Sequence, residues 1–281
     1  MKLLKFFLVM IVFLVAMILV SCSNGNNPID EDDTNETIFL NCEPVFDDGN
    51  YFTNYEEILD TTGLKLYPFI PFTDEWGPGK TDYSELLEAR QIPEDFMRGM
   101  TTKALFYQVV YNELFPTLGM YNSIQYGFEE NVKQLNMLPE LLNHPDAGHV
   151  LLELLQKVDP SIIKLDMSRD PNEWWWFSCL QLIGAQMEVI NRMSDEDICA
   201  YIHHNLRCID IMQSLDDYHP GNSGLLASGL GTVMISYEFE PFLQTLRRHP
   251  VTNEFLWGAQ FLTEEYVLQV IDYIKQFIKA D

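Results

Sequence analysis

Three places in this chain carry the same short phrase: an apolar residue, a hydroxyl residue, and a second apolar residue four positions beyond the hydroxyl. They are Met100-Thr101…Leu105, Met193-Ser194…Ile198 and Leu262-Thr263…Val267. The hydroxyl caps orphan amides at a helix start, and the apolar pair staples the entering chain to the first turn. No stretch beyond residue 80 shows the sustained apolar–polar alternation of a strand, so the chain is constrained to an all-α fold. The three starts are far apart and unequally spaced, which reflects shared capping chemistry and not a sequence repeat.

Further punctuation sets the helix limits. Asp82 caps a helix over Tyr83–Arg90 that stops ahead of Pro93, and the helix opened by Thr101 carries Leu105, Phe106, Val109, Val110 and Leu114 before Pro116 ends it. Helices are expected over Tyr121–Asn136, a short piece after Pro139, Pro145–Lys157 and Pro171–Asn191. Others are expected over Ser194–Leu215, Gly221–Glu238, Pro241–Arg248, Thr252–Phe261 and Glu264–Ile278. Asp170 and Pro171 supply a cap and a first helical residue, and Trp176, Leu180, Ile183, Met187 and Ile190 form a seam spaced 4, 3, 4, 3. The short link to Ser194 predicts a helical hairpin. Glycines between Gly221 and Gly231 follow no strand, so they read as close helix packing and not as a phosphate loop. The expectation is a multi-helix bundle or αα-superhelix of about nine or ten helices over 81–281. Residues 38–80, rich in aromatics and turn signals, form an irregular extension laid across that body, with one short helical candidate near Tyr55–Leu59.

Before residue 38 the chain is of another kind. Lys2 and Lys5 precede an apolar run from Phe6 to Val20, about 22 Å as a helix, short for a hydrocarbon core of about 30 Å. That pattern is a signal peptide over 1–21. Leu19-Val20-Ser21-Cys22 resembles the lipobox of bacterial lipoproteins, which implies cleavage before Cys22 and lipid on its thiol and amine. Residues 22–37 are polar and acidic and read as a tether. The acidic run Asp30–Asp33 lacks the spaced ligands of a calcium loop and resembles signals that send some Bacteroidetes lipoproteins to the outer cell face.

Composition narrows the partners. With 47% hydrophobic and 13% aromatic residues the chain is not disordered throughout. Its formal charge is −25; Lys2 and Lys5 leave with the signal and no acid does, so 15 basic residues face 42 acidic ones and the mature charge is near −27. Such a surface repels phosphate backbones and anionic headgroups, so nucleic acid is not an expected partner and acyl chains on Cys22 supply the membrane attachment. Cys42, Cys179, Cys199 and Cys208 are expected as free buried thiols; were a bond to form, Cys179 with Cys199 on consecutive helices is the geometrically favoured pair.

Trp76-Gly77-Pro78-Gly79, Gln91-Ile92-Pro93-Glu94, Met100-Thr101-Thr102, Tyr126-Gly127-Phe128-Glu129 and Asn143-His144-Pro145-Asp146-Ala147-Gly148 together resemble a group of uncharacterised helical lipoproteins from Bacteroides-type bacteria. The resemblance covers roughly 76–158 and departs from the group's pattern at Thr101, usually Ser, and at Tyr111–Pro116, where a Cys-Leu-Asn-Tyr-Pro-like phrase is usual. It implies a helical fold and an envelope location, and no activity.

Candidate chemistry is sparse. Cys199/His203 and His204/Cys208 are i, i+4 pairs of zinc-ligand types. The turn of an α-helix sets His203 beside Cys199 on the wheel, and sets His204 and Cys208 together on the far side, so the two pairs cannot share one site. The aliphatic stripe Ile198, Ile202, Leu206 and Ile209 places Cys199 and His203 beside the core as weak metal candidates, and His204 and Cys208 outward. His144, His149 and His219 lie in no metalloprotease pattern, and no hydrolase, nucleotide or deaminase signature occurs. Trp174-Trp175-Trp176 supplies candidate contacts for a partner or a sugar ring, with Trp176 in the apolar seam and Trp174 part-exposed. The expected function is that of a lipid-anchored, non-catalytic interaction module of the outer membrane with a protein partner and no cofactor. The alternatives are a glycan-binding accessory lipoprotein and a hydrolase without a recognisable motif.

Overall fold

Thr101 adopts an extended conformation (φ −82°, ψ 158°) and its hydroxyl accepts from the Ala104 amide at 3.2 Å, which starts a helix where the capping phrase predicts one. Ser194 makes a full capping box, its hydroxyl accepting from the Asp197 amide and the Asp197 carboxylate from the Ser194 amide. Asp82 likewise accepts from the Ser84 amide. The computed structural model describes residues 39–42, 60–68, 82–112, 124–158, 171–215, 223–248 and 264–278, without the side chains of 171–175 and 264. All of these lie in one unit, Ile38–Asp281. Tyr55–Leu59, Asp170, Thr252–Phe261, Leu262-Thr263, the signal, Cys22 and the tether lie outside the described residues.

The described helices are α1 (Tyr83–Ala89), α2 (Glu94–Met97), α3 (Thr102–Val110), α4 (Ile124–Gln134), α5 (Met137–Asn143), α6 (Ala147–Leu155), α7 (Pro171–Gly184), α8 (Met187–Ile190), α9 (Asp195–Gln213), α10 (Gly224–Ser236), α11 (Glu240–Arg248) and α12 (Glu264–Phe277). No strand occurs among the described residues, and the fold is all-α. The single-turn pieces α2 and α8 are elements that apolar periodicity does not register.

Two helices are buried on nearly every side. In α3 everything from Ala104 to Val110 is buried, against α5, α6 and α7. In α10 the run from Leu226 to Met234 is buried, against α7, α8, α9, α11 and α12. A helix apolar all round belongs inside a bundle, and α7, which touches both, joins the two layers. Its seam residue Trp176 is 1% exposed, with Tyr107 and Tyr111 edge-on at 4.9 and 5.3 Å. Such aromatic pairs add about 0.5–1.5 kcal/mol each beyond area burial.

One glycine of α10 and one of α7 act through close approach. A Cβ on Gly229 would run into the Tyr201 hydroxyl of α9, and one on Gly184 of α7 would sit 2.9 Å from the same oxygen. This contact rotates α9 relative to the expected wheel. Its buried arc runs through Tyr201, His204, Asn205, Cys208 and Met212 as well as Ile198, Ile202 and Ile209, while Leu206 is half-exposed. His204 and Cys208 therefore point inward, contrary to expectation, because small residues on α10 admit a large ring that an aliphatic count does not weigh.

The expected continuous helix over Pro171–Asn191 is broken. α7 ends at Gly184, Gln186 is extended (φ −85°, ψ 135°), and α8 restarts at Met187. The carbonyl of Ala185, released from the helix ladder, accepts from the Thr232 hydroxyl of α10 at 2.9 Å. The cysteine expectation is also corrected. Cys42 and Cys199 form a disulfide with their Cα atoms 5.2 Å apart, while Cys179 and Cys208 are buried and take no part in it. The bond fastens residues 39–42 along α9 and α12, where the Leu40 amide donates to the Phe277 carbonyl at 3.2 Å. Residues 60–68 are irregular and lie on α2 and α3: Lys65 Nζ donates to the Phe96 carbonyl at 3.2 Å, and Tyr67 packs edge-on to Phe96 at 5.2 Å.

Candidate functional site

Where α7 breaks, the surface opens. A cleft of about 520 Å³ lies at the break, bounded by α4, the end of α5, the 185–188 segment and α10. That volume falls within the range of ligand sites. Phe128, Val132, Leu142, Met187 and Ile235 make its floor and walls apolar. Two side-chain amides bridge it: Gln125 Nε2 donates to Gln186 Oε1 at 3.1 Å and Gln186 Nε2 donates to Gln125 Oε1 at 3.2 Å. Gln186 spends its second N–H on the Leu182 carbonyl at 2.8 Å, which fixes the rotamer of this buried side chain.

Glu129, Lys133 and Glu188 supply the charge. The Lys133 ammonium is held by Glu130 at 2.6 Å, which raises its pKa. Arg192 turns to the main-chain carbonyl of Glu188 at 2.6 Å and to the Asn143 side chain at 3.1 Å. Glu129 and Glu188 thus have no ion-pair partner among the described residues.

A second polar constellation joins two phrases that the sequence keeps apart. Thr102, at the start of α3, donates to Asp146 Oδ1 at 2.5 Å, and its oxygen lies 2.7 Å from His144 Nδ1, which also contacts Asp146. In a nucleophilic triad the carboxylate holds one imidazole nitrogen and the hydroxyl donates to the other. Here the carboxylate and the hydroxyl both meet Nδ1 closely, the hydroxyl stands at 3.4 Å from Nε2, and the hydroxyl gives its proton to the carboxylate. The hydrogen bonds from Thr102 and His144 hold Asp146 below the usual carboxylate range against the opposing effect of desolvation. The arrangement is a latch between the starts of α3 and α6. Beside it, His149 contacts Asp197 at 3.1 Å, tying α6 to the capping box of α9, and this contact raises its pKa.

The other sequence candidates separate. The sulfur of Cys199 is committed to Cys42, so the thiolate a metal needs is absent, and His203 lies against the Cys42 backbone with its pKa lowered by burial. His204 Nε2 is 3.3 Å from Cys208 Sγ; both residues are fully buried, and desolvation, with the nearby Arg207 charge, pushes the imidazole down to about 3. A neutral, enclosed pair of this kind is core. No group of three His, Cys, Asp or Glu residues suited to a metal occurs among the described residues. Trp176 is core, where its place in the apolar seam puts it, which removes it from the candidate contacts, and the side chains of Trp174 and Trp175 lie outside the described residues.

Sequence reasoning missed the cleft, since Gln125, Gln186, Glu129 and Glu188 belong to no chemical motif. The available signal was Gly184 inside an otherwise helical pattern, where glycine marks a break or a close approach. Among the described residues no helix is long and apolar enough to cross a membrane. The chain matches no family model, no curated protein and no solved structure.

Proposed function

We propose that this is a lipid-anchored protein of the outer cell envelope whose helical body is a non-catalytic interaction module, and that the cleft at the α7–α8 break is where it engages its partner. One observation carries the reading: the cleft combines an apolar floor, a fixed pair of amides and carboxylates without ion-pair partners among the described residues, which are binding groups. The anchor rests on the Leu19–Cys22 phrase. The Cys42–Cys199 disulfide supports export, because such bonds persist in oxidising compartments and are rare in the cytosol.

Cys22→Ala should abolish incorporation of a fatty-acid label and move the chain from the membrane to the soluble fraction. Unchanged attachment would refute the anchor. For the module, capture from solubilised membranes with the intact lipoprotein should yield a partner that a Met187→Lys, Ile235→Lys variant fails to hold, both positions being half-buried in the cleft. Recovery of the same proteins by both forms, or of none, contradicts the reading.

A further inference from the structure

The cleft is selective in its charge. Of the charged side chains that line it, Lys133 is ion-paired with Glu130 and meets the Glu129 charge only at longer range, so Glu129 and Glu188 are left without ion-pair partners among the described residues. The nearby Arg192 guanidinium is directed to a main-chain carbonyl and an amide oxygen. A negatively charged rim over an apolar floor attracts a cation attached to an apolar body. The chain's formal charge of −25 adds long-range steering of the same sign.

The amide pair adds a second selection. Gln125 Nε2 uses one of its two protons on Gln186, and Gln125 Oε1 accepts one of the two hydrogen bonds it can take. Gln125 is half-exposed, so one donor and one acceptor of a single planar amide remain for a guest. That is the complement of a peptide group, which also carries one N–H and one C=O. A sugar ring would instead stack on an open aromatic face, and the aromatic ring lining the cleft, Phe128, is 1% exposed. The volume of about 520 Å³ exceeds what one amine or one side chain fills.

We infer that the cleft binds a polypeptide segment carrying a lysine or arginine beside apolar residues. The cation sits between Glu129 and Glu188, an apolar side chain rests on Met187 and Ile235, and the intervening peptide group pairs with Gln125. This assignment rests on the reading of the cleft as the interaction site and specifies the class of partner.

The test uses the full mature chain in detergent, titrated calorimetrically with capped tripeptides of leucine, a variable residue and phenylalanine, and with maltoheptaose. With lysine as the variable residue, binding should be at least tenfold tighter than with glutamate and should weaken as salt rises. A Glu129→Gln, Glu188→Gln variant should lose at least tenfold in affinity for the lysine peptide while keeping its melting temperature. Gln125→Ala should weaken the lysine peptide without changing the salt dependence. Equal binding of the lysine and glutamate peptides would overturn the inference, as would indifference to the double substitution, or binding of maltoheptaose that perturbs the Gln125 and Gln186 side-chain amide resonances. If the peptides fail while capture remains sensitive to Met187→Lys, Ile235→Lys, the cationic class falls and the interaction module stands. If both fail, both fall.

Discussion

One added methyl group at Gly229 would collide with the Tyr201 hydroxyl, in an interface where α10 is buried on nearly every side and cannot step away. Overpacking of this kind costs about 1–3 kcal/mol. Gly229→Ala should therefore lower the urea midpoint by that equivalent, and Tyr201→Phe in the same chain should return part of the loss, because it removes the oxygen that is struck. A double-mutant cycle that shows simple additivity would contradict the contact. This pairing also shows what the sequence conceals at residue scale. Glycines between 221 and 231 announce close approach, but nothing in them says that the approaching group is Tyr201, or that its entry turns His204 and Cys208 into the core.

His204 gives a second expectation at the same scale. Its folded pKa is about 3 against an ordinary 6.5, so the native state favours the neutral ring and the unfolded chain binds the extra proton between those values. Stability should be unaffected by this group above pH 6.5 and decline as pH falls below it, approaching about 1.4 kcal/mol per pH unit. His203, also shifted down by burial, acts in the same direction. The contributions of Asp146 and Asp197, whose pKa values are lowered, are present above the ordinary carboxylate pKa and lost only at more acid pH. His149 has the opposite sign: its raised pKa stabilises at low pH, and that contribution is lost as pH rises through the folded value. Urea titrations between about pH 4.5 and 6.5 should show a falling midpoint that His204→Gln flattens. An unchanged slope in the variant would show that the ring is not the source.

At the scale of elements, the disulfide and the helix break are the two features that organise the surface. Cys42 and Cys199 lie 157 residues apart. Closing so long a loop restricts the unfolded chain by up to about 5 kcal/mol on an entropic model, with about 2–4 kcal/mol the usual measured range. Cys42→Ser should lower stability by an amount in that usual range and expose residues 39–42 to proteolysis. A variant as stable and as protected as the parent would mean that the strap is held by the Leu40–Phe277 bond and apolar contacts alone. Helix spacing offers Cys179 as the partner of Cys199 because those helices are consecutive, whereas the path of an irregular segment such as 39–42 is set by tertiary contacts that leave no periodic trace. The break at Gly184–Gln186 was hidden for a related reason. The 4, 3, 4, 3 seam continues across it, so the apolar pattern reads as one helix, and the compensating hydrogen bond comes from Thr232, 47 residues away. Caps, by contrast, are local. Asp82, Thr101 and Ser194 mark their helix starts because each bonds an amide two or three residues ahead.

For the whole molecule, the all-α class follows from those local signals and from the absence of strand alternation, while the layering around α3 and α10 depends on which helix is surrounded by the others. The candidate site was the least legible part. Its residues come from four elements and share no motif, although Tyr126-Gly127-Phe128-Glu129, noted for a resemblance alone, supplies part of one wall. The proposed anchor and the proposed cleft make one joint claim: a helical body held at the membrane by lipid on Cys22 presents the α7–α8 break to a partner. The most direct test is photo-crosslinking in intact cells from a photoreactive residue placed at Glu188, on the cleft rim, compared with one at Asp272, exposed on α12. A discrete adduct in the membrane fraction is expected from position 188 and none from position 272. Identical patterns from the two positions, or no adduct from either, would contradict it.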